Sequence, residues 1–483
     1  MNFARDVVDT APPGDRALVE LARDGSRREW SFGEVSDHAA RLAGALAARG
    51  VTRGDVVMTL IGNRPEWVLS MVACFRIGAV VLPGNEQLRA KDLRQRIDAA
   101  HPKLIVADER NRAELEAARP DCEVLLIPDR AIYHEAPPAP AVELDPTDPS
   151  LITFTSGTTG EAKGVVHGQR YLPGQTLQAT EWLDARRGDL VWCTAASGWS
   201  KSARNVFIAP WINGAAALLH DARFDPQQRL EVLAAERVNV LCMAPTEYRV
   251  IAKRAQLAPV PSLRGLVAAG EALNPEVLGA FREATGLEIR DGYGQTETGQ
   301  LTGVPAGGEV RPGSMGRPLP GIALDVRDGE LVLSDPTTDP TFFVSYLDGT
   351  PAPESVPWPT GDRVHADQDG YLYFEGRSDD VIISAGYRIG PFEVESALVS
   401  HAAVAEAAVV AAPDEERGAV VRAVVVLRDG HAPSDALVSD LQDHVRHETS
   451  PYKYPRIVDF ADELPKTASG KVQRALLRDQ TRR

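Results

Sequence analysis

Residues 151–167 read LITFTSGTTGEAKGVVH, an apolar run followed by a segment with very little side-chain bulk. The run at 151–154 predicts a buried strand. The hydroxyls, the glycines and the ammonium of Lys163 that follow supply hydrogen-bond donors and allow the backbone to approach a ligand closely. This combination is typical of a site that holds a polyphosphate by backbone N–H groups, hydroxyls and a point charge. On these residues alone, a Gly/Thr turn without a ligand stays open as the alternative.

The composition is that of a globular chain, and its charge excludes some classes of partner. A length of 483 residues predicts more than one domain, because single cores rarely grow past about 250–300 residues. The net charge of −16 argues against nucleic acid or an anionic membrane as the main partner. The four cysteines stand singly, which fits a reducing compartment and excludes a cysteine-rich zinc site. The N-terminal residues lack the apolar segment of a signal peptide. The sequence also contains no run of about 18 apolar residues that would predict a membrane span, so we expect a cytoplasmic protein.

Short apolar strands alternate with helices along most of the chain. Ser31 and Glu34 form a capping box before an amphipathic segment, and Pro65 begins another predicted helix. This alternation predicts an α/β fold with a mostly parallel sheet. Residues 321–376 are turn-rich and β-like, and the last hundred or so residues have an α+β pattern sized for a small domain.

Five regions of the chain carry motifs that occur together, in this order, in one known superfamily. They are TSGTTGEAKG at 155–164, GEAL at 270–273 with DGYGQTETG at 291–299, TGD at 360–362, GRSDDVIISAGYRIGPFEVE at 376–395 and PKTASGKVQR at 465–474. The chain resembles, over essentially its whole length, an AMP-forming acyl-CoA synthetase of the adenylate-forming superfamily. The motif SGWSKSA at 197–203 and the DGYGQTETG segment resemble the sequences of the medium-chain subgroup most closely.

The resemblance implies an ATP- and magnesium-dependent enzyme that makes an acyl adenylate from a carboxylic acid and then a coenzyme A thioester. A carboxylate is a poor electrophile, so it is first joined to the α-phosphate of ATP with release of pyrophosphate. This in-line displacement needs charge neutralisation and positioning rather than a protein nucleophile. Medium-chain, branched and aromatic acids would all suit such an enzyme. No nucleic acid partner is expected.

Two other functions stay open at this point. An acyl-AMP ligase would deliver the acyl group to a carrier-protein thiol instead of coenzyme A. A nucleotide- or acyl-binding protein that has lost catalysis belongs to a different class altogether. The intact residues Lys163, Glu297, Asp362 and Lys471 weigh against that second alternative.

The resemblance assigns the phosphate contacts to two segments. Lys163 and its loop would hold the β- and γ-phosphates, the loop residues being Thr155, Ser156, Gly157, Thr158, Thr159 and Gly160. Thr296 would hydrogen-bond the α-phosphate. Glu297 would bind Mg²⁺, since a hard carboxylate suits a hard cation, and the alternative is a solvated loop carboxylate. Ala162 stands where the family usually has proline, so we expect a slightly looser loop rather than loss of binding.

The nucleoside contacts come from three further segments. Tyr293 would stack on the adenine, although without the resemblance it would be half-buried packing. The other residues of the adenine site would be Gly270, Glu271, Ala272, Asp291 and Gly292. Asp362 would accept hydrogen bonds from both ribose hydroxyls, because one carboxylate can take both. Arg377 would also contact the ribose, and Arg388 completes the residues assigned to ATP or AMP.

The resemblance also implies a division into two domains. The fold expected is α/β, with a large N-terminal adenylation domain of mixed, mostly parallel sheets layered with helices, and a small mobile α+β C-terminal domain. The first would comprise residues 1–378 and the second residues 379–483, with a hinge near Asp379. The loop 384–391 would line the pantetheine tunnel, where Gly386 lets the thiol arm approach the backbone.

Two lysines compete for the role of the adenylation lysine. Lys471, in the SGK segment, matches the family lysine that bridges the carboxylate and the α-phosphate. Lys466 lies five residues earlier. Lys471 is preferred because it lies in a turn flanked by glycine, although without the resemblance both would be solvated lysines.

The acyl pocket is expected around the SGWSKSA segment. Trp199, Val206 and Phe207 would line it, because an apolar acyl chain needs a mostly apolar cavity, and a role in the core is the alternative. Arg204 stands where the medium-chain subgroup usually has an aromatic residue. If its side chain enters the pocket, it would contact a polar group of the acid; otherwise it is a surface residue.

Overall fold

The structure, a computed structural model, divides into two compact units. The residues it describes are 1–127, 132–155, 163–270, 273, 275–378, 380–384, 387–414, 417–466 and 472–479, with the backbone alone at 134, 135, 388 and 479. The first unit comprises Met1–Thr155, Lys163–Ala323 and Ser334–Pro357, and the second contains Leu324–Leu333 and Trp358–Arg483. Asp379 lies outside the described residues, so the hinge and the domain boundary expected there stay predictions.

Strands and helices alternate as the sequence predicts. In chain order the strands are β1 (Arg16–Leu21), β2 (Arg27–Ser31), β3 (Val56–Leu60), β4 (Val80–Gly84), β5 (Leu104–Asp108), β6 (Glu123–Ile127), β7 (Pro149–Phe154), β8 (Gly164–Gly168), β9 (Leu190–Cys193), β10 (Ala216–His220), β11 (Val240–Met243), β12 (Gly265–Ala269), β13 (Ile289–Tyr293), β14 (Thr302–Gly303), β15 (Arg317–Pro318), β16 (Leu324–Arg327), β17 (Glu330–Leu333), β18 (Ser345–Tyr346), β19 (Trp358–Ala366), β20 (Leu372–Arg377), β21 (Ile382–Ser384), β22 (Tyr387–Ile389), β23 (Val404–Asp414), β24 (Gly418–Leu427) and β25 (Ile457–Phe460). The α-helices are α1 (Phe32–Ala48), α2 (Pro65–Ile77), α3 (Ala90–Ala100), α4 (Arg112–Ala118), α5 (Ile132–Glu135), α6 (Tyr171–Gly174), α7 (Thr176–Gln178), α8 (Ala209–Ile212), α9 (Pro226–Ala235), α10 (Pro245–Arg254), α11 (Pro275–Thr285), α12 (Pro391–Ser400), α13 (Asp435–Glu448) and α14 (Arg474–Asp479).

Two sheets of the first unit carry the site segments. Their strand orders are β15-β14-β13-β12-β11-β9-β10-β1-β2 and β18-β8-β7-β4-β3-β5-β6. In the first sheet the strands from β13 to β1 run parallel, β2 and β14 run opposite to them, and β15 pairs antiparallel with β14. In the second, β6, β5, β3, β4 and β7 run parallel, β8 runs opposite to them, and β18 pairs antiparallel with β8. The predicted mixed, mostly parallel α/β fold is confirmed.

Local signals begin and end the early helices. Ser31 caps α1: its Oγ accepts from Glu34 N (3.2 Å), and Ser31 N donates to Glu34 Oε2 (2.8 Å), which confirms the predicted capping box. Pro65 is the first residue of α2, where its missing N–H costs nothing. The helix ends at Gly78, whose φ of 73° is left-handed and therefore suits glycine.

The second unit contains smaller sheets, in agreement with the predicted α+β pattern. The sheet β16-β17-β19-β20 is antiparallel, as is the β21-β22 pair. In the third sheet β23 and β24 pair antiparallel and β25 joins in parallel. Its core includes Val394 of α12 and Leu441 and Val445 of α13. None of the helices in the described ranges is long and apolar enough to cross a membrane.

Candidate active site

The predicted phosphate loop connects two antiparallel strands of the seven-stranded sheet. β7 ends at Phe154 and β8 begins at Gly164, and these two residues are paired. Thr155 N donates to Lys163 O (2.9 Å), and Lys163 N donates to Thr155 Oγ1 (3.2 Å). The two ends of the loop are thereby held together, and Lys163 is exposed. The remaining loop residues of the prediction lie outside the described residues: Ser156, Gly157, Thr158, Thr159, Gly160 and Ala162.

Glu297 and Lys163 both contact one aromatic side chain. Tyr346 Oη donates to Glu297 Oε1 at 3.3 Å, and Phe343 N donates to Glu297 O at 2.9 Å. Lys163 Nζ lies 5.5 Å from the centroid of the Tyr346 ring. Thr296, which precedes Glu297 in the loop after β13, is half-buried. The structure therefore brings the predicted metal ligand and the predicted phosphate lysine to the same tyrosine.

Tyr346 is a site residue that the sequence analysis missed. It lies in the segment FFVSYL at 342–347, which carries no charge, no glycine and no recognisable motif. Its contacts with Lys163 and Glu297 join positions that are far apart along the chain. A single sequence contains no signal for such a contact, because it depends on how β18 pairs with β8.

The described residues of the predicted adenine site lie at the carboxyl ends of the neighbouring parallel strands β12 and β13. Gly270 follows β12 with φ of 104°, a conformation that favours glycine. Gly292, in β13, has no room for a side chain, because a Cβ there would lie 2.2 Å from Gln300 Nε2. Burial raises the pKa of Asp291 well above its usual range, and its Oδ1 accepts from Gly292 N at 2.8 Å. Tyr293 is half-buried, and Glu271 and Ala272 lie outside the described residues.

Lys201 is a second residue to which the sequence analysis gave no role. Its Nζ donates to Ala269 O at 3.1 Å, and a Cβ on Gly270 would lie 3.2 Å from Lys201 Nζ. The ammonium also lowers the pKa of Asp291, against the larger effect of burial. The SGWSKSA segment therefore contributes a cation beside the adenine segment. The lysine is part of the SGWSKSA motif, but the motif alone does not predict the direction of its side chain.

The three predicted acyl-pocket residues differ in their surroundings. Val206 and Phe207 are fully buried in the helical turn Arg204–Ile208. The Phe207 ring packs edge-on against Trp67 and Trp211, at centroid distances of 5.7 and 5.0 Å. Such contacts are typical of the core, the alternative that the sequence left open. Trp199 is half-buried, and its backbone O accepts from Ser202 Oγ at 2.6 Å.

Arg204 is buried, so the surface interpretation of this residue was wrong. The residue is 5% exposed, and among the described residues its Nε and Nη1 have no hydrogen-bond partner. A Cβ on Gly299, in the segment that carries Glu297, would lie 3.4 Å from Arg204 Nη1. Burial raises the pKa of Asp339 to about 7, and the Arg204 guanidinium is one of the groups that oppose this effect. The guanidinium therefore lies in the electrostatic range of a buried carboxyl group.

Truncation of Trp199 and Phe207 should have opposite consequences. We expect Trp199→Ala to shift preference toward bulkier acids with little loss of stability, because the residue is half-buried. Phe207→Ala should lower the free energy of unfolding by about 3–5 kcal/mol, as for other large buried side chains. Melting temperatures and relative kcat/KM over a panel of acids test both variants. Early melting of Trp199→Ala with unaltered acid preference would instead assign Trp199 to the core.

The second unit brings the two predicted ribose residues together. Asp362 of β19 and Arg377 of β20 are directly paired in the antiparallel ladder. Arg377 Nη1 donates to Asp362 Oδ1 at 3.0 Å and to Thr360 O at 3.3 Å. Asp362 is 4% exposed, and a Cβ on Gly361 would lie 3.0 Å from Arg377 Nη2. The TGD glycine therefore leaves space for the guanidinium beside the carboxylate.

The competing lysines of the second unit are not equally well described. Lys466 Nζ forms an ion pair with Oε2 of Glu406, a residue of β23, at 2.5 Å. Lys471 lies outside the described residues, as do Asp379 and Gly386. Arg388 lies in β22, and its side chain is not described.

The donor set fits a magnesium ion shared with a substrate. Within the described ranges, no group of three or more His, Cys, Asp or Glu side chains could hold a metal ion. Mg²⁺ is commonly bound by one or two carboxylates together with substrate phosphates and water. Glu297, beside a lysine suited to phosphate, matches that arrangement.

Two family models match the chain. The model for AMP-binding enzymes matches residues 5–337, and the model for their C-terminal domain matches residues 393–471. The human mitochondrial acyl-coenzyme A synthetase ACSM4 is 39% identical over 99% of this chain and 90% of its own length. An uncharacterized acyl-CoA ligase of Bacillus subtilis, YtcI, is 39% identical over 96% of this chain and 92% of its own length. The solved anthranilate CoA ligase AuaEII in complex with anthranoyl-AMP has a TM-score of 0.89, with 28% identity over 100% of this chain and 97% of its own.

Fold, site and similarity define an ATP-dependent acid–thiol ligase. The chain belongs to the family of AMP-binding enzymes and, within it, to the acyl-CoA synthetases. It activates a carboxylic acid with ATP to an acyl adenylate and transfers the acyl group to coenzyme A. The family, the fold class and the two-step activity predicted from the sequence are thereby confirmed.

Proposed function

We propose that Lys163 and Glu297 form the pyrophosphate side of the active site of this acyl-CoA synthetase. Their contacts with Tyr346 are the observation that carries this assignment, because they join a cation suited to phosphate and a carboxylate suited to Mg²⁺. Thr155 and Thr296 add hydroxyl donors on the two segments. The loop residues Ser156, Gly157, Thr158, Thr159 and Gly160 are proposed to complete the phosphate contacts.

The first half-reaction is a displacement at phosphorus. A carboxylate oxygen of the acid bonds to the α-phosphorus of ATP, and the bond from that phosphorus to the pyrophosphate oxygen breaks. No proton is transferred, so the protein contributes alignment and charge neutralisation. Lys163 would offset charge on the leaving pyrophosphate, and Lys471 would bridge the carboxylate and the α-phosphate. Mg²⁺, held by Glu297, would supply further neutralisation of the phosphate charge.

The nucleoside contacts are proposed from the motifs that carry Tyr293 and Asp362. Tyr293 would stack on the adenine, with Gly270, Glu271, Ala272, Asp291 and Gly292 around it. Asp362 would accept from the ribose hydroxyls, and its bond from Arg377 supports this assignment because that bond orients the carboxylate. Arg377 and Arg388 would contribute charge near the AMP moiety.

The second half-reaction transfers the acyl group to a thiol. The sulfur of coenzyme A bonds to the acyl carbon, the bond from that carbon to the AMP oxygen breaks, and the thiol proton is released. We propose that residues 379–483 rotate about Asp379 between the two steps, relative to the adenylation domain 1–378. The loop 384–391 with Gly386 would then line the pantetheine path.

The acid is proposed to be medium-chain, branched or aromatic. This class is supported by the relative in complex with anthranoyl-AMP and by the similarity of the motifs to those of the medium-chain subgroup. Trp199 would line the acyl pocket, and Val206 and Phe207 would support it from within the first unit. A cytoplasmic location is proposed because the four cysteines are free thiols, although Cys193 and Cys242 lie opposite each other on β9 and β11, and because one relative is bacterial.

The acceptor is tested by supplying coenzyme A in the absence of any carrier protein. We expect the purified enzyme to release pyrophosphate and AMP and to form acyl-CoA with at least one acid of a panel of medium-chain, branched and aromatic acids. Pyrophosphate release with and without coenzyme A, together with mass spectrometry of the products, measures this. Acyl adenylate that accumulates unconsumed in the presence of coenzyme A would favour a carrier-protein thiol instead.

A further inference from the structure

One short segment runs between the two halves of the pyrophosphate site. Thr341 Oγ1 donates to Thr298 O at 2.6 Å, and Phe343 N donates to Glu297 O at 2.9 Å. Further along, β18 pairs antiparallel with β8, with Tyr346 opposite Val165. The segment therefore bonds first to the backbone of the loop that carries Glu297 and then to the strand that follows Lys163.

The Tyr346 side chain contacts both charged groups. Its Oη donates to Glu297 Oε1 at 3.3 Å, and its ring lies 5.5 Å below Lys163 Nζ. An ionised carboxylate can only accept a hydrogen bond, so the phenol O–H is the donor in this contact. An ammonium over a tyrosine face is attracted by the ring quadrupole.

We propose that Tyr346 is a positioning residue that holds the Glu297 carboxylate and the Lys163 ammonium apart and in fixed orientation. This inference rests on the proposed function of those two residues. Within the described part of the chain, the Lys163 ammonium forms no ion pair of 4 Å or less. Its charge does reach the Asp348 carboxylate, whose pKa is lowered chiefly by hydrogen bonds from Thr350 and to a smaller extent by Lys163. With the ring below the ammonium and the hydroxyl bonded to the carboxylate, each charge keeps its capacity for a phosphate or for Mg²⁺.

Packing alone does not explain why this residue is tyrosine. The ring contacts Phe343 at a centroid distance of 4.9 Å, a contact that phenylalanine would make equally well. Only the hydroxyl reaches Glu297. The proposal therefore separates into two parts, one carried by the hydroxyl and one by the ring.

Two substitutions test these parts separately. Tyr346→Phe removes the hydroxyl and keeps the ring, and Tyr346→Leu removes both. Tyr373→Phe is the matched control, because Tyr373 Oη donates to the Asp367 carboxylate at 3.1 Å in a hairpin of the second unit. Calorimetric titration of MgATP and of Mg²⁺ in the presence of ATP gives binding constants without turnover. ATP–pyrophosphate exchange then gives kcat and KM for the same proteins.

We expect Tyr346→Phe to raise the Mg²⁺ concentration for half-saturation about tenfold, as for the loss of a hydrogen bond to a charged group. Its melting temperature and its KM for the acid should stay unchanged. Tyr346→Leu should weaken ATP binding by roughly a further two- to fivefold, the worth of an exposed cation–π contact. Tyr373→Phe should match the wild type in all of these quantities.

Unchanged Mg²⁺ half-saturation in Tyr346→Phe would overturn the part of the proposal carried by the hydroxyl. Equal ATP affinity in the phenylalanine and leucine variants would overturn the part carried by the ring. A lower melting temperature with unaltered Mg²⁺ and ATP binding would reduce Tyr346 to a packing role. The proposed function of Glu297 fails by a different result, namely Glu297→Gln with the Mg²⁺ dependence of the wild type. A reduced Mg²⁺ dependence in Glu297→Gln with an unchanged one in Tyr346→Phe would overturn the role of the hydroxyl alone.

Discussion

Lys471→Ala is expected to slow adenylate formation by about two to three orders of magnitude while sparing thioester formation from supplied acyl adenylate. An ammonium at the α-phosphate would offset charge that develops on the phosphoryl oxygens, a contribution of about 3–4 kcal/mol for a well-positioned group. At about 1.4 kcal/mol per tenfold, this corresponds to the stated loss in rate. The second half-reaction should be spared because, in the proposed rotation, the loop 384–391 replaces Lys471 at the site. Single-turnover kinetics of each half-reaction measure the difference.

Lys466→Ala is the control for this experiment. Lys466 pairs with Glu406, so its removal breaks a half-exposed ion pair, which is commonly worth less than about 1 kcal/mol. We expect that variant to keep both half-reactions near the wild-type rates. Equal damage to both steps in Lys471→Ala would contradict the rotation. Damage confined to Lys466→Ala would transfer the catalytic role to that residue.

Glu297→Gln is expected to abolish both pyrophosphate release and ATP–pyrophosphate exchange. The amide keeps the shape of the side chain and can still accept from Tyr346, but it lacks the charge that would bind Mg²⁺. Because both directions of the first half-reaction need the metal, both should fall together, whereas melting temperature should change little. Titration of Mg²⁺ against exchange rate and against MgATP binding measures the loss.

Glu109→Gln is the control for loss of a carboxylate in the same unit. Glu109 is exposed and pairs with Arg112 at 2.5 Å, and it lies in none of the segments assigned to the site. We expect it to leave the Mg²⁺ dependence unaltered. If Glu297→Gln kept the wild-type Mg²⁺ dependence as well, the metal would have to be bound elsewhere.

The motifs supplied the site assignments, which stay predictions, because each motif places its polar groups in one short segment. TGD and GRSDD predicted that Asp362 and Arg377 act on one group, and the structure pairs them across β19 and β20. The capping box at Ser31 and the helix at Pro65 were equally local and were confirmed. Local signals of this kind need only residues within one or two turns of the chain.

Residues whose roles depend on distant partners could not be predicted in the same way. Phe207 was expected in the acyl pocket, but its ring packs against Trp67 and Trp211, and only folding brings these rings together. The direction of Arg204 was open in the sequence, and the structure buries it. The role of Lys201 was missed because its contact with Ala269 O crosses between segments that are far apart in the chain.

The sequence by itself determined the family and the α/β class, and it predicted which residues would bind phosphate, metal and ribose, because the motifs are contiguous segments. The tertiary structure alone decided that Glu297 and Lys163 share Tyr346, that Arg204 is buried, and that Phe207 belongs to a cluster of aromatic rings. The reason is geometric: hydrogen bonds and ring contacts act over a few ångströms. Sheet pairing between strands far apart in the chain, such as β8 with β18, is what brings such groups within that range.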